Sequence, residues 1–419
     1  MLTPLEQQAL AALDFEAMLD LLDRLVQVRS VGGKESPAQQ LAADFMSVSG
    51  LEVDTWSIDL DALRRHPHFS EEIRRDAALG VVGRLGSDEG PTLLLNGHVD
   101  VVGAGDESDW SARPWRATVR GGAVYGRGAV DMKGGVCAAM CAAKALVDAD
   151  VRLRGRLLVA PVVGEEDGGT GTLAAIERGH LADAAVVMEP TRMRIATTHA
   201  GALNFRIRIK GLSAHACMRE EGVSAVDKLP LLLSALAALE QRRTERYDNP
   251  MFAAYGIPFP LSVGRVQAGD WPSSVPDWLE IDGRYGVAPG ESLESARAEF
   301  GETLARLGDH DPWLAENPPS LAWWGGQFEP AEIDPQAPIV GAVADAYRAV
   351  SQRDAVLEGM TYGADMRLLV NVAGIPTVMF GAGDVRQAHR PDEFVPLDDL
   401  KLLAQTLCLT AMRFCGVVG

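Results

Sequence analysis

The sequence is poor in several features that would point to particular classes of protein. It has five cysteines and 6% aromatic residues, and its 58 acidic residues outnumber 39 basic ones. The net charge of −19 argues against nucleic-acid binding, because phosphates would be repelled. No apolar run has the length of a membrane span, and the first residues lack the pattern of a signal peptide. We therefore expect a cytoplasmic protein without nucleic-acid or membrane partners.

The cysteines show no paired framework, which suits a reducing compartment such as the cytoplasm. Cys137 and Cys141 are four residues apart on a predicted helix and could form half of a metal site. No second pair of thiols accompanies them. The favoured interpretation is that both are small, buried core residues.

A chain of 419 residues is too long for one core of ordinary size, so two domains are expected. Over residues 1–198, apolar strands alternate with helices, which predicts an α/β fold with a mostly parallel sheet and helices on both faces. Over residues 199–328, strands alternate apolar and charged residues, as in an α+β segment with one solvated sheet face. The α/β pattern resumes over residues 329–419, so the second domain is predicted to be inserted into the first.

Three local patterns give further predictions. Apolar spacing predicts one helix over residues 5–28 and a long helix from Val223 to Gln241. Residues 60–78 are charged and contain histidine, so they are predicted to form a surface insertion, to which the sequence assigns no role.

His98 and Asp100 follow the apolar run of the motif LLLNGHVD, at residues 93–100. Polar groups just past such strands lie where α/β sheets collect ligands. A histidine with a carboxylate two residues later suits a metal ligand and the group that orients its imidazole. A solvent-facing pair in a loop is the equally open alternative.

Acidic residues follow two further glycine-rich motifs. Asp131, in VYGRGAVDMKGG, could bridge two cations, although a helix N-cap is the stronger local interpretation. Glu165 and Glu166, in VVGEEDGGTGT, are adjacent at the end of an apolar strand. One could ligate a metal while the other acts as general base toward a water molecule. A solvated acidic turn is the alternative.

Glu189 ends another apolar strand, and His389 lies in the loop FGAGDVRQAHRPDE. Each is a weak signal alone, but the set of imidazoles and carboxylates without thiolates suits zinc, manganese or cobalt. Two histidines and three carboxylates, one of them bridging, can hold two metal ions about 3.5–4 Å apart.

The motifs GHVD, GRGAVDMKGG, GEEDGGTGT and AHRPDE resemble, in order and spacing, those of the dinuclear zinc amidohydrolase/peptidase family. This family includes acetylornithine deacetylase, succinyl-diaminopimelate desuccinylase, aminoacylase and glutamate carboxypeptidase. The resemblance covers nearly the whole chain. It implies a catalytic domain in two parts, 1–198 and 329–419, and an inserted lid and dimerisation domain, 199–328.

The resemblance also implies roles for the site residues. His98 and Glu189 would bind one zinc ion, Glu166 and His389 would bind the other, and Asp131 would bridge them. Glu165 would be the general acid and base, and Asp100 would orient His98. A glutamate at position 189 tends in this family to accompany deacylases and carboxypeptidases rather than aminopeptidases.

Three residues are implied to act on the substrate. His215, in GLSAHA, matches a lid histidine that reaches the opposite subunit's site and stabilises the oxyanion, the alternative being a polar helix-capping residue. Arg284 and Arg367 are candidates to grip a substrate carboxylate, with a surface ion pair nearly as plausible for each. Where several relatives have asparagine, this chain has Ser273 or Ser274, which puts the carboxylate contact in doubt and leaves room for an unusual acyl amine.

We therefore expect a metal-dependent amidohydrolase, with two zinc ions or with cobalt or manganese, that deacylates a small N-acyl amino acid of the acetylornithine type through a bridging hydroxide. Alternatives with the same mechanism are a carboxypeptidase or dipeptidase, a desuccinylase, and a deformylase of an N-formyl aminopyrimidine. A non-catalytic dimeric binding protein is the alternative from another class. A homodimer formed through the lid is expected.

Overall fold

The computed structural model describes residues 2–418, and the chain forms two compact units. The first unit contains the residues up to Thr198, Glu332–Glu358, and the residues from Ala364 onward. The second unit contains His199–Ala331 and a short return segment, Gly359–Gly363. The second unit is therefore formed by two separate stretches of chain, whereas the sequence pattern suggested one stretch, residues 199–328.

The α-helices of both units are numbered in chain order. They are α1 (Pro4–Ala11), α2 (Phe15–Gln27), α3 (Ser36–Val48), α4 (Leu60–Leu63), α5 (Gly134–Asp148), α6 (Thr170–Glu177), α7 (Leu229–Arg246), α8 (Leu293–Ala305), α9 (Pro312–Glu316), α10 (Pro338–Ser351), α11 (Met366–Asn371) and α12 (Leu397–Cys415).

The strands are numbered in the same way. They are β1 (Glu52–Ser57), β2 (Leu79–Gly86), β3 (Thr92–His98), β4 (Thr118–Arg120), β5 (Ala123–Tyr125), β6 (Arg156–Val162), β7 (Ala184–Val187), β8 (Thr198–His199), β9 (Gly201–Lys210), β10 (Leu261–Ala268), β11 (Trp278–Val287), β12 (Ser320–Phe328), β13 (Ala331–Glu332), β14 (Thr377–Met379) and β15 (Phe394–Pro396).

The first unit is built on a six-stranded sheet with the order β1-β2-β6-β3-β7-β14. Strands β6, β3, β7 and β14 run parallel, whereas β1 and β2 are antiparallel at one edge. Nearly every residue of β3, β6 and β7 is buried, so both faces of the sheet are covered. The predicted α/β class with a mostly parallel sheet is confirmed.

The predicted single helix over residues 5–28 is wrong, because the chain forms α1 and α2 with a break between them. Asp14 accepts a hydrogen bond from the backbone amide of Ala17 at 2.9 Å and caps the second helix. Thr3 and Glu6 form a capping box at the start of the first. Capping side chains thus divide the segment into two helices although the apolar spacing continues across the break.

The second unit contains an antiparallel sheet with the order β10-β11-β9-β12, and helices α7 and α8 contribute to its core. Alternate residues of β9 are buried from Phe205 onward, as the alternating pattern predicted. Helix α7 begins at Leu229 rather than at Val223. Pro230 lies in its first turn, where its fixed φ is compatible with a helix start.

Four of the five cysteines are buried, and burial raises the pKa of Cys141 to about 12. Cys137 and Cys141 therefore remain thiols inside α5, and their interpretation as core residues is confirmed. Within residues 2–418, no helix is both long and apolar enough to cross a membrane.

Candidate metal centre

Two predicted metal ligands and the predicted general base follow three adjacent strands of the first unit. His98 is the last residue of β3, Glu165 lies in the turn after β6, and Glu189 comes two residues after β7. These strands are parallel neighbours, so their carboxyl ends meet at one edge of the sheet. The topology therefore brings together residues that are up to 91 positions apart in the sequence.

Asp131 lies between the two histidines. Its Oδ1 is 3.0 Å from His98 Nε2, and its Oδ2 is 3.3 Å from His389 Nε2. His389 Nε2 is also 3.0 Å from an oxygen of Glu166. Each carboxylate oxygen of Asp131 thus faces a different imidazole, which is the arrangement expected of a ligand shared by two cations.

Glu165 and Glu189 complete the cluster on the side of His98. Their nearest oxygens lie 3.9 Å and 3.7 Å from His98 Nε2. Both glutamates are buried, and Oε1 of Glu189 has no hydrogen-bond partner among the described residues. A buried carboxylate oxygen without a partner is costly, so this atom favours a cation as its missing partner.

Asp100 supports the cluster through two different groups. Its main-chain carbonyl oxygen lies 2.9 Å from His98 Nδ1, whereas its carboxylate is 3.8 Å away. The carboxylate instead accepts a hydrogen bond from the backbone amide of Glu166 at 3.0 Å. With Nδ1 donating to the carbonyl, Nε2 of His98 is left to accept or to ligate a metal. The expected orientation of His98 by Asp100 thus comes from the main chain, and the side chain positions Glu166.

A buried ion pair that the sequence pattern did not predict lies behind Asp131. Glu393 Oε2 lies 2.6 Å from Arg127 Nη1, and both residues are buried. Oε1 of the same glutamate accepts from the backbone amides of Val130 and Asp131, at 3.0 and 3.3 Å. Arg127 lies in the motif GRGAVDMKGG, and Glu393 lies in AHRPDE. A charged residue inside each motif was the only feature of the sequence that could have indicated this ion pair.

Burial and mutual repulsion perturb the glutamates. Burial raises the pKa of Glu165, Glu166 and Glu189, and neighbouring carboxylates raise each of them further. At Asp131 burial also acts to raise the pKa, but hydrogen bonds from the two histidines outweigh it and the pKa is lowered. In the absence of cations, the cluster therefore carries more negative charge than the fold compensates.

The imidazoles respond in the opposite way. Burial alone would lower the pKa of His98, but its hydrogen bond to Asp131 and the nearby carboxylates raise it. The same competition raises the pKa of His389 to about 11, with Glu166 as the main cause. Both imidazoles lie in surroundings that favour a positive charge at Nε2, whether a proton or a metal ion.

The donor set fits divalent metal ions. Two groups offer ligand atoms within 4.8 Å of one another: His98 with Asp131 and Glu166, and His98 with Glu165 and Glu189. The donors are imidazole nitrogens and carboxylate oxygens without thiolates, which suits zinc, cobalt or manganese. The part of the chain that the structure describes thus contains a candidate metal centre at the predicted residues.

The sequence of residues 94–413 matches the peptidase family M20/M25/M40. The chain belongs to this family. The resemblance inferred from the motifs is therefore confirmed, and the chain is an enzyme of the metal-dependent amidohydrolase class. The M20 match begins within β3, just before His98, and so includes all the predicted metal ligands.

Two curated relatives indicate the range of chemistry in the M20 family. An N-formyl-4-amino-5-aminomethyl-2-methylpyrimidine deformylase from Halalkalibacterium halodurans is 29% identical, over 90% of this chain and 89% of its own. An acetylornithine deacetylase from Pectobacterium atrosepticum is 28% identical, over 80% of this chain and 83% of its own. Both similarities extend over most of each chain.

Solved structures show the same fold at lower sequence identity. The dipeptidase Dug1p from Saccharomyces cerevisiae superposes with a TM-score of 0.78 at 15% identity, over 98% of both chains. The YXEP protein of Bacillus subtilis, described as a dinuclear metal-binding peptidase of the M20 family, gives a TM-score of 0.61 at 16% identity, over 96% of this chain and 98% of its own.

The remaining predicted residues make contacts within their own units. His215 is exposed in the second unit, at the start of a short turn where its Nδ1 accepts from the backbone amide of Cys217 at 3.2 Å. Its backbone pairs with that of Ser274, and the amide of Ala216 donates to the carbonyl of Ser273. Ser273 and Ser274 are thus main-chain neighbours of this histidine.

The two arginine candidates differ in their surroundings. Arg284, on β11, donates to the carbonyl of Thr361 at 3.2 Å, and loss of solvation lowers its pKa to about 10. Arg367 is fully buried in the first unit, where it donates to the carbonyl of Gly168 at 2.8 Å. Its guanidinium supports the turn that carries Glu165 and Glu166, and its predicted contact with a substrate carboxylate stays a prediction.

Proposed function

We propose that this chain hydrolyses the amide bond of a small N-acyl amine at a centre of two divalent metal ions. The observation that carries the proposal is Asp131, whose two oxygens face two different imidazoles inside a buried cluster of carboxylates. In this proposal His98 and Glu189 hold one ion, Glu166 and His389 hold the other, and Asp131 is shared. Zinc is the preferred ion, with cobalt or manganese as alternatives.

The chemistry of such a pair of ions suits amide cleavage. Two bound divalent ions would polarise a carbonyl group and lower the pKa of a water molecule toward neutrality. The excess of negative charge in the cluster supports their binding, because buried carboxylates otherwise have no compensation.

Glu165 is the proposed proton carrier. It is buried beside His98, and burial together with the charge of Glu189 raises its pKa. A carboxylate whose pKa is shifted toward neutrality can take a proton from water and then give it to the leaving amine. Glu166 cannot fill this role in the proposal, because its carboxylate already lies against His389.

We propose an N-acyl amino acid of the acetylornithine type as the substrate. Arg284 supports this choice, because its partly buried guanidinium has lost solvation without gaining a carboxylate partner in the described residues. An arginine in such surroundings can grip a substrate carboxylate through two parallel hydrogen bonds. The acetylornithine deacetylase similarity over 80% of the chain points to the same substrate class.

An N-formyl aminopyrimidine is the second candidate substrate. The relative that deformylates such a compound is matched over 90% of this chain. Ser273 or Ser274, where the family resemblance implies an asparagine in several relatives, leaves room for such an acyl amine. We further propose that the second unit is a lid through which the chain dimerises, and that His215 assists catalysis in the partner subunit.

Activity assays with three substrates test the proposal. The protein, loaded with zinc or cobalt, would be assayed with N-acetylornithine, N-acetylmethionine and the N-formyl aminopyrimidine. We expect Glu165→Gln to lower kcat by about 10²–10⁴-fold while metal content stays unchanged, because only the proton transfer is removed.

The matched control is Glu177→Gln, which replaces an exposed glutamate at the end of α6 in the same unit. It should retain wild-type kcat. Unchanged activity of Glu165→Gln on every substrate that the wild type hydrolyses would overturn the mechanism. Turnover of the pyrimidine alone would select the second candidate substrate.

A further inference from the structure

The charged segment of residues 60–78, predicted as a surface insertion, contacts the turn that carries two residues of the metal centre. Residues 70–75, called here the strap, lie against the turn that carries Glu165 and Glu166. The backbone amide of Glu72 donates to the carbonyl of Asp167 at 3.2 Å, and the amide of Ile73 donates to its carboxylate at 2.8 Å. Most of the segment is exposed or half-exposed, as expected of a surface insertion, but Arg75 is buried and the segment contacts the turn that carries Glu165 and Glu166.

Arg75 is the buried end of the strap. Only 1% of its surface is exposed, and its guanidinium lies between Asp167, at 2.8 Å, and Glu35, at 2.6 Å. It also donates to the carbonyl of Ile73 at 3.1 Å, which folds the strap back on itself. A planar guanidinium can make all of these contacts at once, whereas a lysine ammonium cannot.

The turn and the strap approach too closely for side chains to lie between them. A Cβ on Gly164 would lie 3.0 Å from the Arg75 guanidinium, and one on Gly168 would lie 2.0 Å from the Ser70 carbonyl oxygen. Both glycines also have positive φ values, of 70° and 145°. The strap therefore contacts the turn at both of its ends, with the two glutamates between them.

The outer part of the segment braces the strap. Arg64, just after α4, donates to the Arg75 carbonyl at 2.8 Å and pairs with Glu71 at 2.9 Å. On the other side, the turn is fixed by the hydrogen bond from the amide of Glu166 to Asp100. Glu166 is thus set from one side by a metal-site residue and, through Asp167, from the other side by the strap.

We propose that Arg75 is a positioning residue for the metal centre, which acts through Asp167 to hold Glu166 in the geometry that binds a cation. This inference rests on the proposed function only in taking the cluster to be a site that binds metal ions. Arg75 touches neither metal nor substrate. Supporting residues of this kind commonly change metal affinity or activity by about 10–100-fold.

The test is a zinc titration of the metal-free full-length protein, with cobalt absorption as a second readout. We expect the wild type to bind two ions and Arg75→Met to bind one of them about 10–100-fold more weakly. With substrate, kcat should fall by a similar factor while KM changes little. Arg75→Lys should retain more metal affinity and kcat than Arg75→Met, because lysine keeps the positive charge but lacks the planar guanidinium that pairs with two carboxylates at once.

Arg413→Met is the control, because Arg413 forms another partly buried ion pair of the first unit, with Glu6 at 2.7 Å. It should bind both ions as the wild type does. If Arg75→Met fails to fold, Arg75→Lys decides, since wild-type affinity for both ions in that variant would overturn the proposal. Folded Arg75→Met that binds both ions and turns over substrate as the wild type does would also overturn the proposal. If the wild type itself binds no zinc, the proposed function fails instead.

Discussion

A partly buried cluster of charge in the second unit and the buried cluster of the metal centre differ in their balance. In the second unit, Arg243 is buried and pairs with Glu291 at 2.6 Å and Glu299 at 2.7 Å, while Arg246 pairs with Glu299 at 2.9 Å. Two arginines there meet two glutamates. In the first unit, the carboxylates around His98 and His389 outnumber the two imidazoles.

The difference separates a structural cluster from a functional one. Buried charges that are matched within the fold need no ligand, and their removal breaks an ion pair. Buried charges of one sign in excess raise each other's pKa values and favour a cation from solution. If this comparison is right, the two clusters should respond in opposite ways to metal and to neutralising substitutions.

The largest difference should appear on metal removal. Zinc at about 1,000 times its Kd should stabilise the folded chain by about 4 kcal/mol for each site, because it binds the folded state alone. Urea unfolding with zinc and with a chelator measures this shift. The comparison is wrong if zinc leaves the free energy of unfolding unchanged.

A loss of similar size should follow from breaking the balanced cluster. Arg243→Met leaves Glu291 and Glu299 with less compensation and should destabilise the chain by about 3–5 kcal/mol. The matched control is Arg246→Met. The Arg246 side chain is 62% exposed and pairs with the same Glu299. It should cost less than about 1 kcal/mol in the same urea unfolding experiment. Equal losses in both variants would contradict the assignment of a buried structural pair.

Neutralisation in the first unit should have the opposite sign. Glu189→Gln removes one of the repelling carboxylates, so the metal-free protein should become more stable by on the order of 1 kcal/mol. The same variant should lose most of the stabilisation by zinc, because the proposed ligand is gone. Thermal unfolding of the variant and wild type, each with chelator and with zinc, gives both quantities. A destabilised metal-free variant would indicate that Glu189 has a structural role.

The smallest expected effect is the pH dependence of the balanced cluster. Burial acts to raise the pKa of Glu299, but hydrogen bonds from Arg246 and Arg243 outweigh it and lower the pKa below 4.5. Its contribution is therefore present above the unfolded-state pKa and is lost as pH falls through the lower, folded-state pKa. Between pH 6 and pH 3, wild type should lose more stability than Glu299→Gln, by less than about 1 kcal/mol after solvent screening. Parallel pH profiles of unfolding would contradict this sign.

The metal-site residues could be predicted because their signals are local. His98, Glu165 and Glu189 each follow an apolar strand, and parallel strands bring such positions together whatever the intervening sequence. The helix break at Asp14 was missed because its neighbours keep the apolar spacing. A capping side chain decides such a break through one hydrogen bond, which spacing does not register.

The contacts behind the ligands could not be predicted. Glu393 is 262 positions from the Asp131 amide that it accepts from, and Arg75 is 92 positions from Asp167. A charged residue in a polar stretch has the same local appearance whether it is solvated or buried against a distant partner. The pattern therefore places Arg75 on the surface with the rest of residues 60–78, although it is buried against Asp167.

The return segment Gly359–Gly363 has a practical consequence for work on the second unit by itself. Ala200 donates to Met360, the Gly359 amide donates to Met251, and Arg284 donates to Thr361. A recombinant fragment that ended at Ala331 would lose all three hydrogen bonds. An independently expressed version would need the five residues appended through a designed linker, and circular permutation offers a direct route to it.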